Sequence, residues 1–460
     1  MHRRTILHLL TAVLLAAPVT GAALPVRAGE LAICPFEADA TPPLGSPLCN
    51  GGIMPAKEIV DSLSSRGIVL LGQGQPIVLC AFDWVGIGNA GHDEYRKVLA
   101  RAAGTTPDRV ALHCLHQHDA PACDYSTEGL LAAAGLSGEM FHPEFSRAAI
   151  ERTAAAIRES LKHPRKVTHL GLGTGRVEQV ASSRRVLGED GRVAIVRYSS
   201  TTSKAAQEAP EGTIDPDVRL VSFWNGDEPV ASLTYYATHP QSYYGKGGVS
   251  ADFVGLARRL RERDVKQASH IHFNGAAGNV TAGKYNDGSP GMRGVLADRL
   301  AAGMQRAWDN QQKTPIAAED VAWQVVPVAL PVRDTLQEDA LKARLGNEAV
   351  PLKQRLRAAR DLAFVRRMQA GHQIPLTCLS LGKARLLGMP GELFVEYQLA
   401  AQQMRPDLFV TMAAYGDYGP GYIGTEIAYS QGGYETGKVS RVAPEVEQVL
   451  LNGLKQLLKK

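Results

Sequence analysis

The chain has 460 residues, 45% of them hydrophobic and 21% charged, and a formal net charge of +4. Residues 1–28 hold three arginines and no acid, so without them the charge falls to +1. A near-neutral chain of this length has ample material for a large core and lacks the basic excess of a nucleic-acid-binding protein.

At the N-terminus His2, Arg3 and Arg4 precede an apolar run over 6–18, and Val26-Arg27-Ala28 puts small residues where a signal peptidase reads. The run is shorter than the roughly 20 residues that span a bilayer. The expectation is an export signal over 1–28 and one domain over 29–460, periplasmic or secreted, with no stable membrane anchor. Of the six cysteines, the near pairs Cys34/Cys49 and Cys114/Cys123 are candidates for disulfides in an oxidising compartment. No CxxC pair occurs, so no cysteine zinc site is expected.

Apolar, β-branched runs predict strands over 68–71, 77–82, 110–115, 220–224, 230–236, 270–273, 321–328 and 409–413. Helical spacing predicts helices over 94–103, 143–162, 253–264, 292–310 and 392–404. The polar stretch 199–217 reads as a surface loop, and the Arg- and Ala-rich stretch 339–370 as an amphipathic helix whose charges form a solvated face. Strands interspersed with helices along the whole chain indicate an α/β protein, mixed and multi-layered, with its site at strand ends.

The strand over 110–115 runs into LHCLHQHDAP. With the chain extended, His116 and His118 point to one side, because side chains alternate with period two. Two imidazoles together are the beginning of a metal site; His113 is out of phase with His116 and reads as structural. A second exposed imidazole, His239, follows the strand over 230–236 and precedes Pro240. The stretch GNVTAGKY, 278–285, is close to a phosphate-binding loop, yet Tyr285 stands where Ser or Thr would hold Mg²⁺. No nucleotide is therefore expected there, and the glycines instead suit a tight loop that approaches a ligand closely.

Four motifs in order carry a resemblance that spans about residues 30 to 440. HQHDAP resembles the HTHSGP of neutral ceramidases, and ATHPQSYYGKGGVSADF their HPTS and SSDNKG segments. MPGE at 389–392 resembles their PGE, and GYIGTEIAYSQGGYE at 421–435 their YIT, EEY and QRYE series. The chain thus resembles the catalytic domain of the neutral/alkaline ceramidase family. That resemblance implies one Zn²⁺ per chain held by His116, His239, Glu392 and Tyr422, a set able to lower the pKa of a water from about 15.7 toward about 7. It also implies that His118 transfers a proton or supports the nucleophile, with Asp119, in place of the family's Ser, orienting His118 or the water. Arg184, matched to an arginine near the scissile group, has Arg185 as its one-residue alternative. Tyr434 becomes an oxyanion donor, and Asp252 a structural acid. The family's GDVSPN corresponds to Gly278 to Gly283, with Asn279 for Asp and Thr281 for the serine, so Thr281 is the candidate hydroxyl.

The implied function is an exported zinc hydrolase of an amide, a ceramide-like or other N-acyl compound. The alternative is a non-catalytic zinc-containing protein that binds lipid or carbohydrate. The expected partner is a small-molecule or lipid N-acyl substrate, with neither nucleic acid nor nucleotide.

Overall fold

Three large sheets, each ending in one parallel pair of strands, form the frame of the computed structural model, which describes residues 30–72 and 74–459; the other described strands form two-stranded pairs. The expected export signal lies outside the described residues. In the first sheet the order is Val110–Cys114, Ile77–Phe82, Ser64–Leu71, Leu31–Asp39 and Arg165–Val167, with only the first two parallel. The second runs Ser269–Asn274, Glu228–Tyr236, Asp217–Asn225, His169–Arg176 and Gln312–Pro315, again with the first two parallel. The third runs Val321–Val328, Ile374–Leu381, Ala384–Gly388 and Phe409–Ala413, with the last two parallel. The chain is therefore a mixed α/β protein, as expected.

The parallel pairs of the three sheets face one another in the middle of the molecule, and backbone hydrogen bonds bind their carboxyl ends. Cys114 N donates to Tyr415 O (2.9 Å) and Ala414 N to Asn274 O (3.0 Å). The Asn274 amide donates to Leu115 O (3.1 Å). Strands buried on both faces read as continuous apolar runs, and Ile77–Phe82 is one, buried at every position. The helices cover the outer faces. Among the described residues none is long and apolar enough to cross a membrane.

Every predicted strand is present, but others escaped the sequence pattern, the longest being Leu31–Asp39, His169–Arg176, Ile374–Leu381 and Ala384–Gly388. The helix predicted from 392 begins only at Val395; Glu392–Leu393 is a short strand paired in parallel with Tyr422–Ile423. The stretch 339–370 is two helices, Glu338–Gly346 and Leu352–Gln369, with Pro351 at the N-cap of the second. The 199–217 stretch holds one short helix, Lys204–Glu208. Neither expected disulfide forms: all six cysteines are free, five of them buried and Cys49 partly so. Cys34 lies in the Leu31–Asp39 strand and Cys114 in the Val110–Cys114 strand, where the thiols pack as small apolar groups.

One buried ion pair ties the first sheet to the helix beside the second. Asp83, just past the Ile77–Phe82 strand, accepts from both terminal nitrogens of Arg258 (2.8 and 2.7 Å) and from Ser64 N (2.8 Å). Burial would raise the Asp83 carboxyl, but the charge and hydrogen bonds of Arg258 outweigh it and hold the acid well below its usual range. Removing one member of such a pair strands the other without solvent. Asp83→Ala is expected to cost about 3–5 kcal/mol of stability by urea unfolding; a loss within the ±0.5 kcal/mol of ordinary surface changes would contradict this account.

Candidate metal centre

Each sheet delivers one side chain from the carboxyl end of its parallel pair: His116 after Cys114, His239 after Tyr236, Glu392 after Gly388. Their ligand atoms lie within 4.8 Å of one another, and all three residues are buried. Both imidazole Nε2 atoms stand 3.2 Å from Glu392 Oε2.

The local backbone explains the aim of each ring. His116 is not extended, as the HxH pattern had suggested, but left-handed at φ 74°. A non-glycine residue pays for that conformation, and such strain persists where surrounding structure imposes it. Here His116 N donates to Trp84 O (2.8 Å) and Nδ1–H to Val85 O (2.7 Å). His239 Nδ1–H donates to Ala277 O (2.7 Å), with Val280 O at 3.0 Å. A carbonyl can only accept, so in the neutral rings Nδ1 carries the proton and Nε2 presents a lone pair. Burial, then the charge of Arg184, lowers His239 to about 4, which keeps it neutral at pH 7. Burial would raise Glu392, but the neighbouring imidazoles outweigh it and keep the carboxyl ionised, well below its usual range.

Two imidazole nitrogens and a carboxylate oxygen thus converge in a buried space. Neutral imidazole with carboxylate is an established donor set for divalent metal. His116, His239 and Glu392 therefore form a group that fits a metal ion.

Around this group the other predicted residues fall at different distances. Tyr422 is the cross-strand partner of Glu392. Its hydroxyl is 3.2 Å from His239 Nε2 and accepts from Arg184 Nη1 (2.8 Å). Burial raises the phenol well above its ordinary value against the opposing charge of Arg184, so it carries its proton. Arg185 points away, to Gly432 O (2.8 Å) and Glu435 (3.2 Å), whereas Arg184 faces the Tyr422 hydroxyl. His118 Nε2 lies 3.3 Å from His116 Nε2, and the Gln241 amide packs on its ring. Burial and the neighbouring histidines lower His118 well below its usual range. Tyr434 stands at the rim, its ring 5.7 Å from that of Tyr422.

Two expectations change. Asp119 does not orient His118: its carboxylate accepts from Gly245 N (2.8 Å) and sits 3.7 Å from Arg293. The Thr281 hydroxyl donates to Tyr198 O (3.1 Å) instead of meeting the cluster. The GNVTAG loop offers the site carbonyls, not N–H groups, through the Ala277 and Val280 contacts to His239. Its glycine is needed for a close approach to the ligand strand: Gly278 N donates to Leu393 O (2.7 Å), and a Cβ there would meet Glu392 O at 2.2 Å. Arg184 N donates to the same loop, at Asn279 O (2.8 Å). Lys284 is spent on Ala209 O (2.7 Å) and the Gln207 carbonyl, and Tyr285 on Glu211, so nothing of the phosphate-loop pattern survives. Asp252, at φ 52°, accepts from Ser242 N and is structural. His113 donates from Nδ1 to Ala414 O (2.9 Å), away from the cluster.

Sequence reasoning missed two tyrosines. Tyr418 donates to Glu392 Oε1 (3.1 Å), and Tyr415, left-handed at φ 59°, stacks on His116 at 4.6 Å. The density of Tyr and Gly in YGDYGPGYIG was their only signal. The cluster opens into a cavity of about 270 Å³ whose lining includes His118, Tyr418, Tyr422 and Tyr434.

No family model matches the chain, and no curated protein sequence does. Among solved structures it superposes on the neutral ceramidase from Pseudomonas aeruginosa with a TM-score of 0.65 at 17% identity, over 94% of this chain and 75% of that one. It superposes on a ceramidase complexed with C2 with a TM-score of 0.66 at 16% identity, over 93% and 75% of the two chains. Nearly the whole described chain therefore has the fold of these ceramidases.

Proposed function

We propose that the protein is an exported zinc-dependent amidase that hydrolyses an N-acyl compound. The observation that carries this reading is the buried trio His116, His239 and Glu392, whose ligand atoms converge where an open cavity reaches His116 and Glu392. The ceramidase fold and the N-terminal export pattern support it. His116, His239 and Glu392 would hold the ion, with Tyr422 as the fourth donor. Zinc bound there supplies a Lewis acid that makes a nucleophile of water near neutral pH.

The chain's own groups account for the remaining steps. His118 is neutral and beside the cluster, so it accepts the proton released as the nucleophile forms and returns it to the leaving amine. Tyr422 gives a hydrogen bond to the charge that develops on the carbonyl oxygen, and Arg184, donating to the same phenol, stabilises that charge in turn. Tyr434 closes the rim over both. Tyr418 and the carbonyls of Val85 and Ala277 fix Glu392 and the two imidazoles, so the donors need no rearrangement during reaction.

Protein purified without chelator is expected to hold one zinc per chain by elemental analysis, and His116→Ala or Glu392→Ala to hold almost none. His113→Ala should lose stability but keep the metal; equal metal loss in all three would contradict the assignment of ligands. Against a panel of N-acyl substrates that includes ceramide, wild type should turn over at least one and stop with chelator. Zinc binding without any turnover would instead support the non-catalytic reading. Tyr422→Phe should lower kcat by about 10²–10³, the usual cost of one oxyanion donor, with KM little changed.

A further inference from the structure

The cavity above the cluster is basic to a degree that a neutral lipid does not explain. Five cationic side chains line it, Lys353, Arg357, Arg360, Lys438 and Arg441, against one carboxylate, Glu392. Arg441 is already engaged, donating to Asp361 (2.8 Å) and to Gly419 O (3.1 Å). Among the described residues no carboxylate oxygen lies within 4.0 Å of the charged groups of the other four. Arg360 is half-buried with its guanidinium 5.3 Å from the Tyr418 ring, while Lys353, Arg357 and Lys438 are exposed.

These charges are placed by secondary structure. Lys353, Arg357 and Arg360 recur at i, i+4 and i+7 on the Leu352–Gln369 helix, which stacks them on one face. The face expected to be merely solvated therefore forms a wall of the cavity. The first turn of that helix carries no acid, so its positive dipole end adds to the field. Arg357 and Lys438 also line an adjoining cavity of about 600 Å³, to which Arg333 and Arg344 contribute, and whose one lining carboxylate, Asp361, is paired with Arg441. Like charges gathered without counter-ions repel, and an anion is the group that relieves them. An alkyl chain would find only Leu356 and Val439 as aliphatic lining of the inner cavity.

We infer that the substrate of this site carries an anionic oxygen group, a carboxylate or a phosphate, which Arg357 and Lys438 bind where the two cavities meet while the amide lies at the metal cluster. The inference rests on the amidase reading for the position of the amide alone.

The test compares amides with the same eight-carbon acyl length on the zinc-loaded protein: octanoyl ethanolamide, octanoyl glycine, octanoyl O-phosphoethanolamine and the ethanolamide of octanedioic acid. At least one anionic member should exceed the neutral one in kcat/KM by about tenfold, the effect of one charge-assisted hydrogen bond. The ranking of the carboxylate and phosphate members identifies the group. Arg357→Gln with Lys438→Gln should collapse that preference through KM; both positions are exposed, and circular dichroism checks the fold. Calorimetric binding of the same compounds gives a second readout. If nothing is cleaved but an anionic member binds more tightly than the neutral one and the double variant abolishes the difference, the amidase reading falls and this inference stands. If neutral and anionic members bind and react alike, or the preference survives the double substitution, the inference is overturned.

Discussion

Everything at the centre of this molecule depends on three metal-ligating atoms that the fold brings within 4.8 Å of one another. Two imidazole lone pairs and one carboxylate oxygen converge because backbone carbonyls, which cannot donate, have fixed the proton of each ring on its far nitrogen. Without those carbonyls either ring could flip and turn its Nε2 away from the centre. The arrangement must therefore be imposed by surrounding structure that is stable for other reasons. That structure is the close meeting of three sheets at their parallel edges.

The Gly278 to Thr281 stretch connects the parts. It touches the backbone or ring of His239, the backbone of Arg184 and the strand of Glu392, all through main-chain atoms. The Asn279 side chain adds a tie to the segment after Glu392, accepting from Val395 N and donating to the Glu396 carboxylate, and no side chain fits at Gly278, where the Glu392 backbone leaves no room for a Cβ. The altered residues of this loop therefore say less about chemistry than they had suggested. The cavity wall, built from the Leu352–Gln369 helix and the segment around Lys438, has more bearing on what enters.

Much of this was legible in the sequence where one side chain or one period decided the outcome. Continuous apolar runs located the central strands, and the histidine and glutamate motifs located the three groups that meet. What stayed hidden depended on packing. His169–Arg176 carries glycine at alternate positions and no apolar period, because the helix Met292–Asp309 lies directly on that face: a Cβ on Gly173 would meet Ala307 O at 2.0 Å. Glu392 looked like the start of a helix because its strand is two residues long and exists only by pairing with Tyr422. His116 and His118 do converge, but through a left-handed turn that no alternation rule anticipates. The basic face of the Leu352–Gln369 helix could be recognised as a face, though not as one that borders a cavity.

The division of the donor groups among three sheets also orders events during synthesis. The first sheet is complete once Arg165–Val167 has been made, and the second once Gln312–Pro315 has. Glu392 and Tyr422 arrive only in the last part of the chain, 153 residues after His239 in the case of Glu392. A growing chain thus presents first His116 and then His239 before Glu392 is made, too few donors to capture an ion firmly. The full donor set exists only when the third sheet closes, so the binding free energy of an ion held there would add to the stability of the finished protein and to no partial form of it. Such an ion would be a late seal on the assembly.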